Sequence, residues 1–250
     1  MTAYKLSFRL SLLCGLVALT SCATTMPLGP ILVDPALRSQ FTIPETLPDL
    51  DDPLGFLRPD ATQSRDDVFI RIEDYTVTEH KADTVLTGRN GIQAALTQNG
   101  WDYIARVDWR IRWDYDLEKR GDYCVVEGAD TELTVTYALP IWEPSETPHP
   151  GLKAYWEDFE LALWIHEYGH AKIGYDTKNR IETAILNPPF QEFSCQAMAR
   201  QLNEMARAMI DQGVDAAYDD VTDHGMTQGA VYDVLKAQQA VGDYKAAGRS

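Results

Sequence analysis

The sequence predicts an α+β domain, and three observations carry that prediction. Apolar residues alternate with period two before residue 140, and after residue 150 they recur at threes and fours. The two patterns follow one another along the chain and do not interleave. Alternation places every second side chain on one face of a sheet, whereas spacing of three and four lines one side of a helix. Strands first and helices afterwards is the α+β order.

Val68, Ile70 and Ile72 form the first alternating stretch. The second is the clearest: Val107, Trp109, Ile111, Trp113 and Tyr115 share one face, with Arg106, Asp108, Arg110, Arg112 and Asp114 on the other. Leu133, Val135, Tyr137 and Leu139 form the third, and the polar segment from Glu118 to Asp122 predicts a hairpin turn ahead of it. A short helix is expected over Ile92 to Thr97, after Asn90 as cap. Pro144, Pro148 and Pro150 then punctuate the chain, and Trp156, Phe159, Leu163, Ile165 and Tyr168 fit a helical stripe. A second helix is expected from Gln191 to about Gln212, with Cys195, Met198, Leu202, Met205 and Met209 as its core face, and a last one from near Thr227.

Residues 1–21 combine Lys5 and Arg9 with an apolar run from Leu10 to Leu19, which is export-signal architecture. Leu19, Thr20, Ser21 and Cys22 resemble the bacterial lipobox, which makes Cys22 the expected lipidated N-terminus of the mature protein. The residue after it is Ala23 and not an aspartate, so the expected location is the outer membrane, facing the periplasm. The membrane is therefore an expected partner through the lipid. Residues 22–66 hold seven of the thirteen prolines and read as a tether, and residues 67–250 read as one folded domain. Removal of Lys5 and Arg9 with the signal takes the formal net charge from −16 to −18. A chain this acidic is not expected to bind nucleic acid. Once Cys14 and Cys22 are set aside, Cys124 and Cys195 remain, and an oxidising compartment predicts a disulfide between them.

Residues 164–174 read W-I-H-E-Y-G-H-A-K-I-G and contain the pattern His-Glu-x-x-His. Positions i and i+4 share a helix face, so His166 and His170 can reach one zinc ion. Glu167, one step around, is placed to act as general base toward a water molecule. A catalytic zinc takes three protein ligands. His224, followed by Gly225 in the loop-like stretch Y-D-D-V-T-D-H-G, is the preferred third ligand, with Asp176 and Glu192 as alternatives. Tyr218 and Tyr175 are candidate donors to a tetrahedral oxyanion. Asp220 or Asp223 is a candidate to orient His224. The third strand, Thr131 to Leu139, is the candidate to pair with an extended substrate.

Several spaced motifs resemble one bacterial family. They are W-R-I-R-W-D-Y, the Cys124 segment, L-P-I-W, the W-x-x-F before H-E-Y-G-H, and Y-D-D-V-T-D-H-G-M-T-Q-G-A. The family is the uncharacterised one described as predicted secreted zinc-dependent proteases, and the resemblance spans roughly residues 75–230. It implies a zincin-like fold and makes His224 the natural third ligand. The expected function is a zinc peptidase of the cell envelope acting on peptide or protein substrates. The alternative is a non-catalytic zinc-binding lipoprotein serving as a binding or assembly module.

Overall fold

A computed structural model describes residues 43–61, 65–78, 104–144, 147–230 and 232–248. The signal and lipobox and the expected helix over Ile92 to Thr97 lie outside the described residues. The class is α+β, as the sequence predicts. Among the described residues five strands come first: β1 (Val68–Ile72), β2 (Tyr75–Val77), β3 (Arg106–Arg120), β4 (Tyr123–Ala138) and β5 (Pro140–Trp142). Four described α-helices follow: α1 (Pro150–Leu186), α2 (Cys195–Ile210), α3 (Val214–Thr222) and α4 (Val234–Ala246).

The expected hairpin forms between β3 and β4, which pair antiparallel from Arg120↔Tyr123 to Arg106↔Ala138. Gly121 takes φ +60° in its turn, where a side chain would be strained. β1 runs parallel to β4, so the larger sheet is mixed, in the order β1-β4-β3. This overturns the expectation for Thr131 to Leu139 as a substrate-pairing strand. From Leu133 to Tyr137, β4 is hydrogen-bonded on both edges, and it has no free edge there. Among the described residues, the sheet edge beside α1 belongs to β3. β2 and β5 pair parallel as a separate two-stranded ribbon.

α1 spans 37 residues and runs on well past the apolar stripe that announced it. His149 caps its start by accepting from the Gly151 N–H at 3.1 Å, and Pro150 fits the first turn, where no amide donor is needed. Its inner side packs on the sheet through Leu163, Ile181 and Ile185 against Leu133, Val135 and Tyr137, all buried. Close approach requires Gly174: a Cβ there would lie 2.8 Å from the Trp109 ring on β3.

The tether expected over residues 22–66 is corrected in its second half. Residues 43–61 lie on the domain, with Phe56 and Leu57 in the core and the Tyr137 hydroxyl donating to the Leu57 carbonyl at 2.8 Å. Proline spacing concealed this, because two buried apolar side chains make no periodic signal. Cys124 and Cys195 form the expected disulfide, joining the start of β4 to the start of α2 across 71 residues. No described helix is long and apolar enough to cross a membrane.

Lys178 on α1 is only 3 % exposed. Its ammonium donates to Asp67 and to Glu182, and Glu182 also accepts from the Thr131 hydroxyl at 2.7 Å. This network ties the start of β1 to β4 and to the helix. Lys178→Met should leave Glu182 without its cation and Asp67 with Arg65 alone. The expected loss is about 2–3 kcal/mol, below the usual cost of breaking a fully buried pair because both acids keep some solvent access. A urea unfolding midpoint unchanged from wild type would contradict it.

Candidate metal centre

The site is assembled by α1, α3 and the turn that follows α3. His166 and His170, one helical turn apart on α1, set their rings 4.9 Å apart and nearly perpendicular. Each ring uses one nitrogen to hold its orientation. His166 Nδ1 lies 3.0 Å from Gln228 Oε1, and His170 Nδ1 lies 3.2 Å from Asp215 Oδ1. Both Nε2 atoms then turn toward one carboxylate oxygen: Asp219 Oδ1 is 3.4 Å from that of His166 and 3.1 Å from that of His170. One ligand atom from each of His166, His170 and Asp219 falls within 4.8 Å of the others, a group able to hold a metal ion.

α3 supplies both acids because Asp215 and Asp219 are four residues apart and share a face. The helix is bounded by left-handed residues: Gly213 at φ +67° before it, and Asp223, His224 and Gly225 at φ +53°, +51° and +80° after it. Gly225 is required there on two counts, its positive φ and the 3.0 Å that would separate a Cβ from the His166 ring. The turn continues through residues 226–228, which bring Gln228 to His166.

Burial opposes the charge on His170, but the hydrogen bonds to Asp215 and Asp219 outweigh it, and its pKa is raised to about 10. Asp219 moves the other way. Its own burial is overcome by its bonds to His166 and His170, which hold its carboxyl well below the usual carboxylate range. Glu167 is buried at 4 % exposure, and burial pushes its pKa up against the lowering influence of His170, His166 and a Val107 backbone hydrogen bond.

Tyr218 forms the floor under both imidazoles, stacked on His166 at 5.3 Å and edge-on to His170 at 4.9 Å. It is fully buried. Its hydroxyl donates to the His166 carbonyl at 3.3 Å and lies 3.5 Å from Gln228 Nε2, and burial pushes its pKa up to about 12. The chain crosses it at Gly169, where a Cβ would lie 2.1 Å from the Tyr218 oxygen. The glycine within H-E-Y-G-H is therefore a packing requirement of this floor.

The remaining sequence candidates sit elsewhere. His224 is 78 % exposed at its side chain, and its Nδ1 comes no nearer than 3.9 Å to Asp219 Oδ2. Its backbone N–H instead donates to the Asp219 carbonyl at 2.8 Å. Asp176 pairs with Lys172 at 2.6 Å on the exposed side of α1. The Glu192 carboxylate accepts from Gln201, and its backbone pairs with Cys124 beside the disulfide. Tyr175 accepts from Arg65 at 3.0 Å and packs edge-on to Phe56. Asp219, Asp215 and Gln228 are the functional candidates that sequence reasoning missed. The signal was present: D-A-A-Y-D has the same four-residue spacing as the two histidines, but the stretch reads as a loop until its helix is seen.

Residues 72–225, more than half of the chain, match the family described as "Bacterial protein of unknown function (DUF922)". No curated protein matches, and no solved structure matches.

Proposed function

The chain belongs to that bacterial family, and on this premise we propose that it is a zinc-dependent peptidase of the cell envelope, anchored through a lipid on Cys22. The observation that supports it best is the convergence of two imidazole Nε2 atoms and one Asp219 oxygen, with both Nδ1 atoms already engaged by Gln228 and Asp215. Histidines oriented through their second nitrogen by a carboxylate or an amide are the usual support of a metal ligand. Two imidazoles and a carboxylate also fit zinc, and three protein ligands is the number a catalytic zinc takes.

Bound zinc supplies Lewis acidity, lowering the pKa of a water molecule and polarising a peptide carbonyl. The chain's own residues do the rest. Glu167 follows His166 directly on α1, and its buried carboxylate has a raised proton affinity, so it suits a group that takes a proton and returns it to a leaving amine. Asp215 and Gln228 keep the two rings turned toward Asp219. Tyr218 excludes water beneath them. Its hydroxyl is committed to the His166 carbonyl, so we assign Tyr218 to support of the ligands and not to oxyanion binding.

Chelator-free preparations of the full chain should carry about one equivalent of zinc and cleave members of a proteome-derived peptide library. Glu167→Gln should keep the zinc and lose at least about 100-fold in cleavage, the scale of general-base catalysis. Absence of zinc by elemental analysis would end the metalloenzyme reading. Zinc without any cleavage would favour the binding module.

A further inference from the structure

Gln228 joins the metal centre to a part of the chain far away in sequence. Its Oε1 lies 3.0 Å from His166 Nδ1, and its Nε2 donates to the Pro44 carbonyl at 3.2 Å, across 184 residues. The segment that holds Pro44 is seated on the domain as a strap. Leu47 and Leu54 pack against the core, Phe56 and Leu57 are buried in it, and Arg58 Nη1 donates back to the Pro48 carbonyl at 3.0 Å. Pro44 and Pro48 stiffen the strap, which lowers the entropy lost in holding it down. Phe56 rests edge-on against Tyr175 of α1, while Pro44 lies at the metal centre.

A primary amide has one donating end and one accepting end, and a carbonyl can only accept. With the Pro44 carbonyl at Nε2, Gln228 must present Oε1 to His166, because the reversed amide would set two oxygens 3.2 Å apart with no hydrogen between them. An acceptor beside Nδ1 selects the ring form with its hydrogen on that atom, and Nε2 then keeps the lone pair that a metal needs. The reversed amide would offer a hydrogen to Nδ1 and favour the form that cannot ligate through Nε2. Tyr218 supports the same choice from a longer distance: its hydroxyl donates to the His166 carbonyl, and its oxygen lies 3.5 Å from Gln228 Nε2. His170 needs no such arrangement, since the Asp215 carboxylate beside its Nδ1 is an acceptor at either oxygen.

We infer that residues 43–58 form a strap that readies His166 for metal: the Pro44 carbonyl fixes the Gln228 amide, and unseating the strap weakens the metal centre. The inference rests on the zinc part of the proposed function and not on cleavage. Coupling of this kind is reciprocal, so zinc holds the strap down by the same factor by which the strap raises zinc affinity. Loss of one hydrogen bond, with the Tyr218 oxygen still in place, sets that factor at about fivefold.

The test uses the full chain as wild type, Gln228→Leu and Gln228→Glu, each alone and combined with Leu47→Ser or Arg58→Ala, two independent ways of loosening the strap outside the ligand set. Zinc affinity is read by chelator competition, and the strap by hydrogen exchange of residues 43–58. In the wild-type background each loosening change should lower zinc affinity about fivefold, and zinc should slow strap exchange by a similar factor. Gln228→Leu should cost about 10–100-fold in affinity. Gln228→Glu should bind zinc at least as tightly as the wild type, because its carboxylate accepts from Nδ1 yet cannot donate to Pro44. In that background the loosening changes should alter affinity by less than about twofold. Equal losses in the wild-type and Gln228→Glu backgrounds would overturn the inference, since a merely structural strap acts alike in both. A wild type that binds zinc with an affinity indifferent to the strap would also overturn it and leave the zinc reading standing. A wild type that binds no zinc would overturn both.

Discussion

Replacing Asp219 by alanine is expected to lower zinc affinity by more than the roughly 10–100-fold that loss of a supporting partner costs. Asp219 is the only acid in the described group that both Nε2 atoms approach, and its removal leaves two imidazoles, which hold zinc weakly. His224→Ala should change affinity by less than about threefold, because an exposed ring 3.9 Å from the far oxygen of Asp219 contributes little in this arrangement. Asp215→Asn should fall between them, since it loosens His170 without removing a ligand. Competition with a chromophoric chelator ranks all three variants. If His224→Ala loses zinc as Asp219→Ala does, the turn after α3 rearranges around the ion and His224 joins the ligands. If Asp219→Ala keeps wild-type affinity, the proposed ligand set is wrong.

Gly169→Ala, a single added methyl group, should destabilise the protein by about 3 kcal/mol, at the upper end of overpacking penalties. The new carbon would sit 2.1 Å from the Tyr218 oxygen and 2.3 Å from the ring carbon bearing it, and neither the helix backbone nor a buried ring packed against two imidazoles can yield cheaply. Relief would require Tyr218 to move, and with it α3 and Asp219, so zinc affinity should fall together with stability. The double variant with Tyr218→Ala tests the cause. Tyr218→Ala alone leaves a cavity and costs stability, but in its presence the penalty of Gly169→Ala should largely vanish. Additive losses in chemical unfolding would show that the clash is not the source of the effect.

The sequence by itself determined the parts of this protein that are local or fixed by parity. The four-residue spacing of His166 and His170, with Glu167 between, needs nothing beyond helix periodicity to share a face. Strict alternation in β3 and β4 set the hairpin, and the even pair of cysteines left outside the expected signal pointed to the Cys124–Cys195 bond. What the tertiary structure decided concerns partners distant in the chain. Which acid meets the histidines depends on the face that α3 turns toward α1. That face is set by the left-handed residues at its two ends and by Tyr218 slotting over Gly169. His224 has the better ligand chemistry on paper, but the same turn points its ring to solvent. β4 carries the same alternation as β3, yet its central place in the sheet removes its edge from use, since strand order is a property of pairing and not of pattern. Phe56 and Leu57 lack any period to announce them, and only the space left between Tyr137 and α1 shows that they belong to the core. Local spacing is written in the chain because a helix turn or a strand pleat spans four residues or fewer. Long-range packing is decided by shape, which no short window of sequence contains.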